Sequence, residues 1–295
     1  MPVDVERIEK STSRIAKFLR KNSNRPTAEA IHDLRTDSRR LETAFVTVEL
    51  NTKGKVKRLL RDLGNVRKRA GKVRDMDVLT AYALTVQPKR EQDCLVRLFE
   101  HLGAERSKYV KKLRAVIDGT NTQLGRRLKR SSRRVEKLFE QAEKDPENSD
   151  AISVTVARAI ELGEGLKRPA TLTRTNLHAY RLKVKELRNV LQLAGKSDAQ
   201  KFVGDLSEVK EAIGEWHDWQ ELCGIATEVL HHSSCKLISE LKATTESKYK
   251  HALQLTNRLR TNYLNHDGPR RGKRPTKKPR PSVALLDATA KITQS

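Results

Sequence analysis

The chain of 295 residues is strongly basic, with 61 Lys and Arg against 37 Asp and Glu and a formal net charge of +24 at pH 7. A charge of this size attracts anions, so nucleic acid, an anionic membrane surface and a phosphate polymer are the partner classes to consider. No apolar run approaches the roughly 20 residues needed to cross a bilayer, and the N-terminus has no apolar secretory segment. The three cysteines fit no disulfide framework. These features predict a soluble, cytoplasmic protein with no membrane partner.

Apolar residues recur with helical periodicity along almost the whole chain, and no run alternates as a strand does. The sequence therefore predicts an all-α protein. In chain order, helices are expected at 4–21, 26–52, 54–70, 74–86, 89–117, 121–144, 150–166, 172–195, 198–213, 217–231 and 234–264.

A polar stretch near the midpoint predicts two helical halves. Residues 146–150 begin with Pro146 and read as a linker between a first half at 1–145 and a second half at 151–264. A basic, Pro-rich tail follows at 265–295. Its segment 266–281 contains seven basic residues, four prolines and no apolar side chain, so it is predicted to be disordered.

The two halves share an internal repeat. Residues 31–41 align with 177–187, and residues 71–79 align with 214–222, in the same order and at nearly the same offset. Two matched blocks in one order predict that a helical unit was duplicated.

The first block of each copy is an amphipathic helix. At 100° per residue, its apolar side chains fall in one sector of about 80°, which predicts the buried face. That face consists of Ile31, Leu34, Ser38, Leu41 and Phe45 in the first copy, and of Leu177, Tyr180, Val184, Leu187 and Leu191 in the second.

A basic stripe lies beside each of these buried faces. It consists of His32, Arg35 and Arg39 in the first copy, and of His178, Arg181, Lys185 and Arg188 in the second. Solvated surface charge is normally centred opposite the core, whereas a stripe beside the packing face indicates a groove that concentrates positive potential. Because the stripe recurs in both halves, we favour the groove over a merely solvated surface.

These residues resemble the CHAD domain, the conserved histidine α-helical domain. The family pattern pairs a His-x-x-Arg-x-x-x-Arg/Lys helix with a Gly-x-x-Arg-Asp-x-Asp turn about forty residues later. The resemblance covers about residues 5–264, and the chain departs from the pattern at Glu42, Ala70 and Glu186, so the second half is expected to bind more weakly. The residues that carry the resemblance are His32, Arg35, Arg39, Arg40, Gly71, Arg74, Asp75 and Asp77 in the first half, and His178, Arg181, Lys185, Arg188, Gly214 and Asp218 in the second.

The resemblance implies two tandem helical bundles related by a pseudo-two-fold repeat, with a basic central groove or pore that binds inorganic polyphosphate. It also implies association with polyphosphate granules. The expected ligand-binding residues are His32, Arg35, Arg39, Arg40, His178, Arg181, Lys185 and Arg188. Further basic residues proposed for binding are Arg14, Lys17, Arg126, Arg130 and Arg133.

Asp75 and Asp218 are interpreted as structural, either as caps of a following helix or as ion-pair partners that orient an arginine of the stripe. The histidines of the stripes, His32 and His178, have two open roles. Bound phosphate would favour their protonated form and strengthen binding as pH falls, or they could make structural hydrogen bonds within the bundle.

The dyad of His217 and Asp218, with His178 upstream as a further ligand, is suggestive of a metal-dependent hydrolase. Arg74 occupies the position equivalent to His217 in the first copy and is no metal ligand, so no metal site is expected. The isolated pair His231 and Cys235 is a weak candidate.

No nucleophile elbow or Gly-rich phosphate loop occurs, so no enzyme and no cofactor are expected. The predicted function is non-catalytic binding of polyphosphate. The alternatives are a nucleic-acid-binding protein held by phosphate-backbone contacts and assisted by the segment 266–281, and a helical adaptor without affinity for polyanions.

Overall fold

The computed structural model describes residues 5–21, 25–47, 54–86, 92–142, 159–194, 200–231 and 236–264. The linker predicted at 146–150 and the tail predicted at 265–295 lie outside these ranges. Within the described ranges the regular structure is entirely helical, which confirms the all-α prediction. No described helix combines the length and the apolarity needed to cross a bilayer.

Seven long helices carry the fold of the described ranges, and a short helical segment at 159–165 precedes the fifth. We number them α1 (Val5–Lys21), α2 (Ala28–Thr47), α3 (Gly54–Thr85), α4 (Gln92–Ala142), α5 (Leu177–Ala194), α6 (Gln200–Leu230) and α7 (Lys236–Tyr263).

Three predicted helix breaks are wrong. The sequence indicated breaks near 71–73, 118–120 and 214–216, but α3, α4 and α6 run through these positions without interruption. A glycine inside a helix costs only about 1 kcal/mol relative to alanine. Buried residues on both sides of the supposed break in α3, such as Ala70 and Met76, supply packing that outweighs this cost.

The chain divides into two compact units. The first contains α1 to α4, together with the end of α6 from Ile225 onwards. Each of the four helices contacts the next one in the chain, and α4 contacts α1, so the four surround one core. The predicted buried face of α2 is confirmed at Ile31, Leu34, Ser38 and Leu41, while the side chain of Phe45 lies outside the described set.

The second unit contains the 159–176 segment, α5, most of α6, and α7 from Ile238. Its core joins apolar residues of all these elements, with Trp216 almost fully buried and its ring centroid 5.4 Å from that of Tyr249. All five predicted residues of the α5 face are buried. Arg260, itself buried, donates from Nη2 to the carbonyl of Lys167 and so holds the segment before α5 against α7.

Candidate functional site

The basic stripe of α2 borders its buried face. His32 and Arg39 are exposed, and Arg35 is half-buried, with 24% of its side chain accessible. These burial values follow from the helix period, because positions 32, 35 and 39 lie at the edge of the sector that contains Ile31 and Leu34. The stripe is therefore anchored at Arg35 and open to solvent on either side of it.

Arg35 reaches from α2 to α3. Its Nη1 donates to the carbonyl oxygen of Gly71 over 3.1 Å and lies 3.6 Å from Oδ1 of Asp75. A Cβ atom built on Gly71 would lie 3.6 Å from the same nitrogen, an ordinary van der Waals separation, so the guanidinium lies close to the helix backbone without requiring a glycine there. Lys72 Nζ lies 3.9 Å from Oδ2 of Asp75, which places two cations around one carboxylate.

Arg181 makes a closely related contact in the second unit. Its Nε donates to the carbonyl oxygen of Lys210 on α6 over 3.0 Å. A Cβ atom built on Gly214 would lie only 2.7 Å from Nη2 of Arg181, so this contact is tighter than the one at Gly71. In each unit an arginine three residues after the stripe histidine therefore lies against a glycine of the next helix.

Asp75 and Asp218 do not cap helices. Both lie inside continuous helices, α3 and α6, where the backbone N–H groups are already bonded, so the capping interpretation is wrong. The alternative role, an ion pair that orients the stripe arginine, is present for Asp75 with Arg35. Asp218 instead lies beside a histidine, with its Oδ1 3.6 Å from Nδ1 of His217.

The remaining stripe residues are held to different degrees. Arg40 Nη1 donates to Oδ1 of the buried Asp37 over 3.2 Å, while 55% of the Arg40 side chain stays accessible. Arg188 Nε donates to Oγ of Ser207 over 2.7 Å, and Lys185 is half-buried. The flanking cations are thus positioned by hydrogen bonds within their own unit.

The more distant basic residues lie on α1 and α4, two helices that contact each other. All of them are exposed: Arg14, Lys17, Arg126, Arg130 and Arg133. The three on α4 are spaced by four and three residues and share one face of that helix. Arg127, between them in sequence, points elsewhere and donates to Asp62 over 2.8 Å.

Two histidines meet in the second unit, as the metal-site alternative that the sequence disfavoured would require. The rings of His178 and His217 have centroids 4.6 Å apart. Burial and the nearby His217 lower the pKa of His178, whereas the Asp218 carboxylate raises the pKa of His217. As pH falls, His217 on α6 therefore gains a proton before His178 on α5 does.

These features define an all-helical protein whose two units each carry a cationic helix edge anchored by an arginine on a glycine. The family model for the CHAD domain matches residues 8–225, and the chain belongs to that family. Comparison with curated proteins and with solved structures gives no match.

Proposed function

We propose that this protein binds inorganic polyphosphate without transforming it, through the basic stripes of α2 and α5. CHAD domains bind polyphosphate as a class, and the chain belongs to this family. The observation that carries the proposal is the fixed arginine of each stripe, Arg35 on Gly71 and Arg181 beside Gly214, with further cations along the same helix edge.

The chemistry of the ligand fits this arrangement. Polyphosphate is a flexible chain with a negative charge on each phosphate, so its binder needs a row of cations more than a deep pocket. A guanidinium has five N–H donors and binds phosphate oxygens in a bidentate manner. Nη1 of Arg35 donates to the carbonyl of Gly71 and lies beside the Asp75 carboxylate. These contacts orient the guanidinium before the ligand binds and so lower the entropy cost of binding.

The first unit offers the more favourable surface for an anion. At the positions that the sequence repeat aligns, the first unit has three cations and one carboxylate: Arg35, Lys72, Arg74 and Asp75. The aligned positions of the second unit hold one arginine, a histidine and two carboxylates: Arg181, Glu215, His217 and Asp218. We therefore expect the first unit to contribute more of the affinity.

The duplicated unit, the basic groove or pore and the association with polyphosphate granules belong to the same proposal. The recurring Arg–Gly contacts support the duplication, because they join residues that the sequence repeat aligns. The proposal also places the protein in the cytoplasm, together with its polyphosphate ligand. Colocalisation of the tagged protein with polyphosphate-rich granules in cells would test this part.

A nucleic-acid-binding protein is the alternative, since it also needs phosphate contacts. Only 4% of the residues are aromatic, which disfavours recognition of single strands by base stacking. The deciding measurement is competition for labelled polyphosphate at equal phosphate concentration. We expect unlabelled polyphosphate to displace the label at far lower concentration than DNA or RNA; equal displacement by either nucleic acid would contradict the proposal.

The absence of catalysis is tested separately. Polyphosphate of defined length is incubated with the protein and a divalent metal, and chain length and released phosphate are followed over time. We expect neither shortening nor phosphate release above a protein-free control. Either change, retained after further purification, would show that the protein is an enzyme.

A further inference from the structure

The second unit contains a cluster of imidazole and carboxylate groups that polyphosphate binding does not require. His217, Asp218 and Glu221 lie on α6, and each offers a ligand atom within 4.8 Å of those of the other two. All three are half-buried. His178 adds a second imidazole from α5, with its ring 4.6 Å from that of His217.

The helices place these groups on one surface. His217 and Glu221 are four residues apart and Asp218 and Glu221 three apart, so all three project from the same side of α6. The continuous course of α6 through Gly214 makes this possible. The facing helix is held by the burial of Leu177 and Tyr180, the residues on either side of His178 along α5. The donors are thus carried by packed helices.

The donor set suits a divalent transition metal. Imidazole nitrogen together with carboxylate oxygen is the ligand combination of zinc, cobalt and nickel sites. Metal–ligand bonds of about 2.1 Å allow two ligand atoms of one ion to be at most about 4.2 Å apart, so small side-chain rotations would close the cluster. Nδ1 of His217 and Oδ1 of Asp218 are 3.6 Å apart, a separation that one ion can bridge.

The first unit lacks these donors at the aligned positions. Arg74 stands where His217 does, and Val78 stands where Glu221 does. The repeat therefore excludes a pair of equivalent metal sites, but it does not exclude a single one in the second unit. There, Glu215 stands in place of Lys72 and Glu221 in place of Val78, and this charge change favours a bound cation.

We propose that His178, His217, Asp218 and Glu221 form a binding site for one divalent transition metal ion, such as Zn²⁺ or Co²⁺, per chain. The site is partly exposed, so it leaves coordination positions open to water or to an oxygen anion. The inference rests on these four residues alone and stands whether or not the protein binds polyphosphate.

The test uses the full-length, untagged chain after treatment with a chelator. Co²⁺ is titrated and followed by its visible d–d absorption, and Zn²⁺ is then added to displace it. We expect saturation at one equivalent of Co²⁺ and loss of the absorption on addition of Zn²⁺. Absence of saturable binding would overturn the proposal.

Matched variants locate the site. The double variant His217→Gln with Glu221→Gln should weaken Co²⁺ binding by at least roughly tenfold. The single variant His178→Gln, at an exposed position, should also weaken Co²⁺ binding. The control is His101→Gln with Glu105→Gln, which removes a histidine and a glutamate at the same spacing on α4 and should leave the affinity unchanged. Circular dichroism checks that each variant is folded.

The pattern of losses decides the outcome. The proposal would be overturned if the double variant at His217 and Glu221 bound Co²⁺ as tightly as the wild type. An equal loss of Co²⁺ affinity in the control variant would also overturn it. Loss of binding in Cys235→Ser, with binding retained in His178→Gln, would assign the metal to the His231 and Cys235 pair and would also overturn it.

Discussion

Replacing Gly214 by alanine tests the contact that anchors the second stripe. In an unobstructed helix interior, this change stabilises by about 1 kcal/mol, because alanine has the better helix propensity. Here the new Cβ would lie 2.7 Å from Nη2, 3.0 Å from Nε and 3.2 Å from Cζ of Arg181. The guanidinium must move, and its hydrogen bond to the carbonyl of Lys210 is lost.

The magnitude follows from these opposing effects. A hydrogen bond from a charged donor contributes about 1.5–3 kcal/mol, so Gly214→Ala should destabilise the protein by about 0.5–2 kcal/mol in total. Gly204→Ala, in the same helix, is the matched control, because no atom lies within 4 Å of its added Cβ. That variant should be stabilised by up to about 1 kcal/mol.

Gly71→Ala should behave like the control, although the repeat aligns Gly71 with Gly214. Its Cβ would lie 3.6 Å from Nη1 of Arg35, which is an ordinary van der Waals contact. The measurement is urea unfolding followed by circular dichroism, with the transition midpoint compared among the three variants. Two aligned glycines are thus expected to respond with opposite signs.

A double-mutant cycle isolates the cause. In an Arg181→Ala background the obstructing guanidinium is gone, so Gly214→Ala should stabilise as much as Gly204→Ala does. If Gly214→Ala stabilises the wild-type chain as much as the control does, the close approach of Arg181 is refuted. If it destabilises equally in both backgrounds, the cause lies elsewhere in α6.

Three further predictions concern ligand binding and protonation. Arg39→Glu should weaken polyphosphate binding roughly ten- to hundredfold in a fluorescence titration. Arg97→Glu, an equal charge change at an exposed position of α4, should have little effect; equal losses would show that only net charge matters. The logarithm of the binding constant should fall linearly with the logarithm of salt concentration, with a shallower slope for the Arg39 variant than for the wild type. Equal slopes would show that Arg39 does not contact the phosphates. In NMR titrations with a chelator present, His178 should titrate below the ordinary imidazole value of 6.5 and His217 above it. Asp218→Asn should lower the pKa of His217, and an unchanged value would exclude the carboxylate as the cause. Because the pKa of His217 is raised on folding, its contribution to stability is present below pH 6.5 and is lost as pH rises through the raised value.

The arginine contacts also refine how the stripes can be tested. Arg35 is predicted to bind the ligand, and it also joins α2 to α3 through Gly71. Replacing Arg35 therefore changes stability together with binding. Arg39 is exposed, so its replacement leaves the contact between Arg35 and Gly71 in place.

Much of the architecture was predictable from local pattern. Helix type and buried face depend on the period of apolar residues, and the faces of α2 and α5 are buried where the period placed them. The positions of the basic stripes follow from the same period, since each stripe lies one residue from the buried sector. The two pairs of matching sequence blocks were likewise visible, because they are a property of residue order.

The errors arose where a local signal competed with packing. Gly71 and Gly214 indicated helix ends, and Asp75 and Asp218 then looked like caps. The structure keeps both helices continuous, because residues next to each glycine, such as Ala70 and Ile213, are buried in the cores of their units. At Gly214 the guanidinium of Arg181 also occupies the space that a larger side chain would fill. A glycine that ends a helix and one that admits a neighbouring side chain look the same in a sequence.

What the sequence determined by itself was therefore the all-α class, the amphipathic faces and the excess of positive charge. Only the tertiary structure decided which side chains meet across helices: Arg35 with Gly71, Arg181 with Gly214, and His178 with His217. The physical reason is that periodicity places a residue on a face of its own helix, whereas a contact also depends on how the neighbouring helix packs. The repeat made the two stripes look equivalent, but the second unit joins its stripe to an imidazole and carboxylate cluster that the first unit lacks at the aligned positions.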